Sequence, residues 1–339
     1  MMPTLRRILP LLGLLALVGL GVGTSRADHA ATRIRVGLVL QNTALDDPFQ
    51  HAAYAGLQRS VRRLGVQGKV VVPSPRNPSI GSSFGYLARQ RYALVIGLGF
   101  FETGGLDAAA REFPKSRFAI VDASITDLPH HPRNVLGTQF RTEEAGYLAG
   151  YLAALEEKRR PGRDVIGSVG GVKIPEVDAY IAGYQAGARK ADPGITLLNA
   201  YSDTFSVASR CRALALQEIA RGAGVVFQVA SSCGLGALAA AKEKHVWGIG
   251  VDVDESFLGP HILTSVVKEV GVAVYDIVES FLDGRFRTGR DDVFDLRNGG
   301  VGLGKISPKV PRSFLRQLDR IRTEIVAGKI RVPTVLAAR

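Results

Sequence analysis

Ala93–Asp122 reads ALVIGLGFFETGGLDAAAREFPKSRFAIVD. Ala93–Gly99 is an unbroken apolar run that ends on glycine, Gly105–Glu112 has apolar residues at helical spacing, and Phe118–Asp122 is apolar up to a final carboxylate. Continuous Val/Ile/Leu runs separated by an amphipathic helix mark strands of a parallel sheet covered on both faces. The pattern extends in both directions. Upstream, strands at Ile34–Gln41 and Lys69–Pro73 alternate with helices at Pro48–Leu64 and Ile80–Gln90. Downstream, Val135–Phe140 is extended, and helix Glu143–Glu157 opens a second series. Its strands are Val165–Val169, Thr196–Tyr201, Val225–Val229 and Val246–Val251, and its helices are Pro175–Ala191, Val207–Arg221 and Leu235–Lys244. Ile262–Val267 is extended before helix Val270–Leu282, Asp292–Leu296 and Gly299–Leu303 form a last extended crossing, and Pro311–Ala327 is a terminal amphipathic helix.

Two βα series of similar size, with no Pro- or Ser-rich linker between them, predict an α/β protein of two doubly wound lobes joined by a hinge. The extended crossings make each lobe discontinuous. The expected division is 32–137 with 268–290 for the first lobe, and 138–267 with 291–332 for the second. In open parallel sheets ligands bind beyond the C-terminal strand ends. Two such edges facing across a hinge form a cleft that can close.

The chain begins with Arg6-Arg7, an uncharged apolar run from Ile8 to Thr24, and Ser25-Arg26-Ala27. A basic start, a short apolar core and small residues at the exit describe a removable signal peptide over 1–27, with Asp28 as the mature N-terminus. An uncleaved anchor is the alternative, because Ile8–Val22 falls short of the ~20 residues of a span. The expected location is extracytoplasmic, in the periplasm or at the cell surface. With no ATP there, a receptor is favoured over a metabolic enzyme. No cysteine stands at the cleavage point to carry a lipid. The formal charge is +12, and the three leader arginines account for three of these, which leaves +9. The basic residues are scattered apart from Lys158-Arg159-Arg160-Pro161-Gly162-Arg163, which reads as a solvated loop rather than a nucleic-acid surface. Cys211 and Cys233 open consecutive helices on one edge of the second series. In an oxidising compartment a disulfide is expected, with two buried thiols as the alternative.

Cleft residues should follow the strands. Asp46 or Asp47 can cap the helix that starts at Pro48, which puts Phe49 and Gln50 at its first turn, where the ring either stacks on a ligand or staples the helix. Asp122 ends its strand as a helix cap or as an acceptor facing the cleft. Phe205, after Ser202-Asp203-Thr204, is placed in the second series as Phe49 is in the first. Ser231-Ser232-Cys233-Gly234-Leu235-Gly236 is a glycine-rich helix start without the lysine of a P-loop, and no ribose-reading acid stands at the Rossmann distance. Asp252 and Asp254 end another strand, and Lys268 follows Thr264-Ser265 as either a donor to ligand hydroxyls or a solvated lysine. The six histidines include no i, i+4 zinc pair, and no nucleophile elbow or reactive-cysteine setting is present. No catalytic residue, metal or cofactor is expected.

These segments resemble the basic membrane protein family of ABC-transporter substrate-binding proteins from about Arg33 to Ile306. The resemblance is carried by Asp46-Asp47-Pro48-Phe49, Ala53-Tyr54-Ala55-Gly56-Leu57 and Phe118-Ala119-Ile120-Val121-Asp122. It continues through Glu143–Ala154, Gly170-Gly171, Gly183-Tyr184-Gln185-Ala186-Gly187-Ala188, Gly234-Leu235-Gly236, Val246–Asp252 and Leu263–Lys268. It implies a type I periplasmic-binding-protein fold, like that of ribose-binding protein, whose lobes close on a nucleoside, a purine nucleoside in the first instance. By the same resemblance, Phe49 and Phe205 sandwich the base, Asp252 and Lys268 hold the ribose hydroxyls, and Asp122 with the Gly234 loop contacts base or sugar. Asp47 and Gln50 join the expected ligand-binding set. Many relatives have asparagine where this chain has Gln50, a longer amide at a base-facing position.

The leading expectation is a monomeric nucleoside receptor that feeds an ABC permease, with no nucleic-acid partner. The alternatives are a receptor or sensor for another small polar metabolite, or a nucleoside-hydrolysing enzyme whose aspartate cluster Asp46-Asp47 only partly mimics.

Overall fold

The computed structural model describes residues 33–41, 47–72 and 80–337. The leader, its exit site and Asp46 lie outside them. In chain order the first elements are β1 (Arg35–Val39), α1 (Pro48–Leu64), β2 (Gln67–Val71), α2 (Ile80–Arg89), β3 (Leu94–Leu98), α3 (Thr103–Glu112), β4 (Arg117–Val121), β5 (Val135–Phe140) and α4 (Thr142–Glu157). The second series is β6 (Val165–Gly170), α5 (Pro175–Ala191), β7 (Thr196–Leu197), β8 (Ala200–Tyr201), α6 (Ala208–Ala220), β9 (Val225–Val229), α7 (Ser231–Glu243), β10 (Trp247–Asp252) and β11 (Ile262–Lys268). The chain ends with α8 (Val270–Leu282), β12 (Arg290–Phe294), β13 (Val301–Leu303) and α9 (Arg312–Val326).

Two sheets result. The first has the order β12-β5-β4-β3-β1-β2, and the second β13-β11-β10-β9-β6-β7, with β8 also on β6. Read side by side, β4 and β10 hold the same place in their sheets, as do β3 and β9. The strands of the first sheet are parallel throughout, whereas β13 runs antiparallel to β11. Strands β1, β3 and β9 are buried along nearly their whole length, as the continuous apolar runs require.

Two expectations are corrected. Residues 291–294, assigned to the second lobe, lie in β12 and pair in parallel with β5 of the first sheet, from Arg290 opposite Leu136 to Phe294 opposite Phe140. The Phe140 and Phe294 rings stack at 5.1 Å, and Arg141 N donates to Phe294 O, so the crossing covers the open edge of β5. The strand expected over Thr196–Tyr201 is interrupted. Leu198 N donates to Ile166 O, Ser168 Oγ engages Leu198 O and Asn199 Oδ1, and the bend leaves β7 and β8 as separate pieces on β6.

Helices α4 and α5 cross at glycines. A Cβ on Gly150 would stand 1.8 Å from Tyr184 O, and one on Gly187 1.9 Å from Tyr147 O, so the backbones touch where side chains would part them. Helix α5 is thereby seated with its first turn toward the first sheet's strand ends. Cys211 and Cys233 form a disulfide that joins the starts of α6 and α7. The basic run after α4 turns back on its own helix. Arg159 pairs with Glu156 and Arg160 with Glu157, each at 2.8 Å, which neutralises two buried carboxylates. Among the described residues, no helix is long and apolar enough to cross a membrane.

Candidate functional site

The C-terminal strand ends of the two sheets face one another, and the cleft between them is lined from both. From the first sheet come Gln41, Asp47, Phe49, Gln50, Phe101 and Asp122. From the second come Glu176, Tyr180, Phe205, Ser231, Asp252 and Lys268. Seven of the eight ligand-binding residues expected from sequence therefore share one cavity. Gly234 does not line it. One turn into α7, it packs against the Gln228 side chain, whose carboxamide oxygen would lie 1.7 Å from a Cβ at that position. Ser231, at the start of the same helix, reaches the cleft instead.

Local chemistry explains how each side chain arrives there. Asp47 is extended and caps α1, its carboxylate accepting from Gln50 N at 3.1 Å, and Pro48 supplies a first residue that needs no donor. Gln50 Oε1 in turn accepts from Gln41 N at 3.0 Å, so this amide ties the helix start to the end of β1. The Phe49 ring lies over Gly99, whose φ of 82° admits no side chain without strain. The Phe205 ring lies over Gly171 in the same manner, with a Cβ there only 2.4 Å from the ring. Each aromatic thus rests on a glycine at the end of a strand of its own sheet. Phe205 O accepts from Cys233 N at 2.9 Å, which couples the ring to the disulfide-linked helix start. Across the cleft mouth, Phe101 meets Phe205 edge-on at 6.3 Å.

The polar end is built on two aspartates in matching positions. Asp122 directly follows β4 with φ 62° and Asp252 ends β10 with φ 63°, a left-handed conformation that aspartate tolerates better than most residues. Lys268 Nζ lies 2.7 Å from Asp122 Oδ2 and 3.5 Å from Asp252 Oδ1, and Tyr180 donates its hydroxyl to Asp252 Oδ1 at 2.8 Å. The ammonium also sits 4.7 Å from the Phe49 ring centroid and 5.3 Å from that of Tyr180, within cation–π range. Burial opposes the Lys268 charge, but Asp122, Asp252 and Glu176 outweigh it and raise its pKa. Burial raises the Asp122 pKa, with Lys268 working against the shift. Burial likewise raises Asp47, despite the Gln50 backbone bond, and pushes Glu176 up to about 7 with help from the Asp122 charge. Tyr180 is raised well above the ordinary phenol value, by burial first and then by Asp252.

Besides Ser231, four of these cleft residues were not anticipated as ligand contacts. Tyr180 and Glu176 lie on α5, where apolar spacing reads as a core helix. Gln41 follows β1, and Phe101 was visible only as part of a glycine-rich loop. The strand-end rule applied to every loop would have found Gln41 and Phe101. Among the described residues, no group of three histidines, cysteines or acids stands ready for a metal ion.

The arrangement sets aromatic rings beside a charged end in one cavity. A family model for PnrA-like ABC transporter substrate-binding proteins matches residues 33–335. The chain is 30% identical to the ABC transporter nucleoside-binding protein BmpA of Lactococcus lactis subsp. cremoris, over 92% of each chain. It is 32% identical to basic membrane protein B of Borrelia garinii subsp. bavariensis, over 90% of this chain and 89% of that one. Among solved structures, an ABC-transporter solute-binding protein from Aeropyrum pernix K1 superposes with a TM-score of 0.77 at 22% identity, covering 89% of this chain and 93% of the other. A lac repressor dimer bound to operator shares the fold with a TM-score of 0.57 at 14% identity, over 83% of this chain and 96% of that one. The chain belongs to the PnrA-like family of ABC transporter substrate-binding proteins.

Proposed function

We propose that this PnrA-like substrate-binding protein takes up a nucleoside between Phe49 and Phe205 outside the cytoplasm and delivers it to an ABC permease. The observation that carries this reading is the pair of rings, one from each sheet, each lying on a glycine and both facing the cavity that holds Asp122, Asp252 and Lys268. A purine or pyrimidine offers two π-faces to such rings. Vicinal ribose hydroxyls can donate to the two carboxylates and accept from the ammonium. The name of the Lactococcus relative, a nucleoside-binding protein, supports the same class of ligand. The leader supports export, with release after Ala27.

Isothermal titration with adenosine, guanosine, inosine, uridine and free ribose tests the proposal. At least one nucleoside should bind at micromolar concentration or below, and its free base more weakly, because the base leaves Asp252 and Lys268 without hydroxyl partners. Millimolar binding or none across the panel would refute it. Nucleoside that is cleaved during incubation with pure protein would favour a hydrolase instead.

A further inference from the structure

Two buried polar atoms on the cleft wall, Ser231 Oγ and Glu176 Oε2, have no hydrogen-bond partner among the described residues. Ser231 is the more constrained of the two. It opens α7, is 8% exposed, and holds a φ of 48°, a conformation that costs serine energy and suits glycine. A strained backbone and an unsatisfied hydroxyl at one residue, both against the cavity, indicate a group held ready for a ligand. The hydroxyl lies beside the Asp47 carboxylate and favours its charged form. Asp47, Ser231 and Asp252 line the same cavity, and Asp47 feels the charge of Asp252.

A donor and an acceptor side by side complement a neutral hydroxyl, which accepts from the one and donates to the other. A helix N-terminus alone would favour phosphate. Asp47 reverses that preference, because a phosphate there would set like charges together in a buried site. The vicinal ribose hydroxyls already have Asp122, Asp252 and Lys268, which leaves the 5′-hydroxyl. We propose that Ser231 and Asp47 bind the 5′-hydroxyl of the nucleoside and thereby exclude 5′-phosphorylated ligands, an inference that rests on the nucleoside reading above.

The test titrates wild type, Ser231→Ala and Ser231→Gly with the tightest-binding of adenosine, guanosine, inosine and uridine, with its 5′-deoxy analogue, and with its 5′-monophosphate. Loss of one neutral hydrogen bond should weaken nucleoside binding about tenfold in Ser231→Ala. The same substitution should leave the affinity for the 5′-deoxy analogue unchanged. Ser231→Gly should bind the nucleoside as poorly as Ser231→Ala while its melting temperature rises, because glycine relieves the strain at φ 48°. A purely structural serine would move stability and affinity together. Wild type should bind the monophosphate at least tenfold more weakly than the nucleoside. Unchanged nucleoside affinity in both variants, equal losses for nucleoside and 5′-deoxy analogue, or a monophosphate that binds as well as the nucleoside would each overturn the inference and leave the nucleoside reading standing. A wild type that binds no nucleoside would overturn both.

Discussion

Lys268 Nζ stands 2.7 Å from Asp122 Oδ2, and this contact ties the end of β11 in the second sheet to the end of β4 in the first. Both side chains are buried, and Asp252 holds the matching strand end opposite Asp122. The three groups act as a unit, since each carboxylate without the ammonium would be an uncompensated charge. Lys268→Met should therefore cost about 3–5 kcal/mol of stability, the range for one partner lost from a buried pair. Asp122→Asn keeps an acceptor for the ammonium and should cost less. Urea unfolding of the two variants checks the ordering, and equal losses would show that the ion pair is screened.

The rings are predicted to act through their seats as well as their faces. Phe49→Ala and Phe205→Ala should each weaken nucleoside binding by about 1–3 kcal/mol, the range for one base–aromatic stack. Gly171→Ala places a methyl where the Phe205 ring now lies, 2.4 Å away, so it should also lower affinity although it touches no ligand atom. Titration of all three against wild type decides the point. Wild-type binding by the Phe205→Ala variant would remove that ring from the site.

The disulfide between Cys211 and Cys233 closes a loop with a sequence separation of 22. Loop-closure entropy puts its contribution at about 3 kcal/mol. Because Cys233 N also holds Phe205 O, the Cys211→Ala, Cys233→Ala double variant should lose nucleoside affinity along with stability. Thermal melts and titration of oxidised, reduced and double-variant protein test both effects. Two titratable thiols in unfolded, unreduced protein would contradict the bridge itself.

Much of this was legible from strand ends. Phe49, Asp122, Phe205, Asp252 and Lys268 each follow an apolar run, and the parallel-sheet rule puts such positions at the cleft without knowledge of tertiary contacts. Helix α1 matched its expected span because Asp47, Pro48 and Gly65 mark both ends chemically. What stayed hidden depends on non-local partners. Nothing near residue 290 says that β12 will seek the edge of β5, and Tyr180 carries the same helical spacing as a core residue until Asp252 is seen opposite its hydroxyl. The strain at Ser231 is a backbone angle, and a serine in a glycine-rich run does not announce it.

Glu218 makes a prediction about pH. It is 3% exposed on α6, neither carboxylate oxygen is hydrogen-bonded among the described residues, and burial pushes its pKa to about 8, with Arg221 opposing. A carboxyl whose folded pKa is raised contributes stability fully below the unfolded value near 4.5, and loses that contribution as pH rises through 8. Glu218→Gln should match wild type at pH 5 and exceed it by on the order of a few kcal/mol at pH 9. Glu143, Glu176 and Glu255, each pushed to about 7 by burial, add losses of the same sign in both proteins, so the difference between the two curves isolates Glu218. Parallel stability–pH curves would show that Glu218 is already compensated.

The crossing of α4 and α5 yields the last prediction. Gly146 and Gly150 on α4 face Gly183 and Gly187 on α5, and a Cβ at any of the four would come within 2.5 Å of a carbonyl oxygen of the opposite helix. Backbone atoms cannot swing aside as a flexible side chain can, so Gly150→Ala must separate the helices. The cost should reach about 3 kcal/mol, the upper part of the range for overpacking. Helix α5 also carries Tyr180, whose hydroxyl donates to Asp252, and a shift of the helix draws that donor out of the 2.8 Å contact. Gly150→Ala should thus weaken ligand binding from a position that lines no part of the cleft. Tyr180→Phe provides the control, because it removes the same donor without moving α5 and so should lose affinity with far less loss of stability. If Gly150→Ala unfolds more easily yet binds nucleoside as wild type does, the seating of α5 is not what positions the polar end of the site.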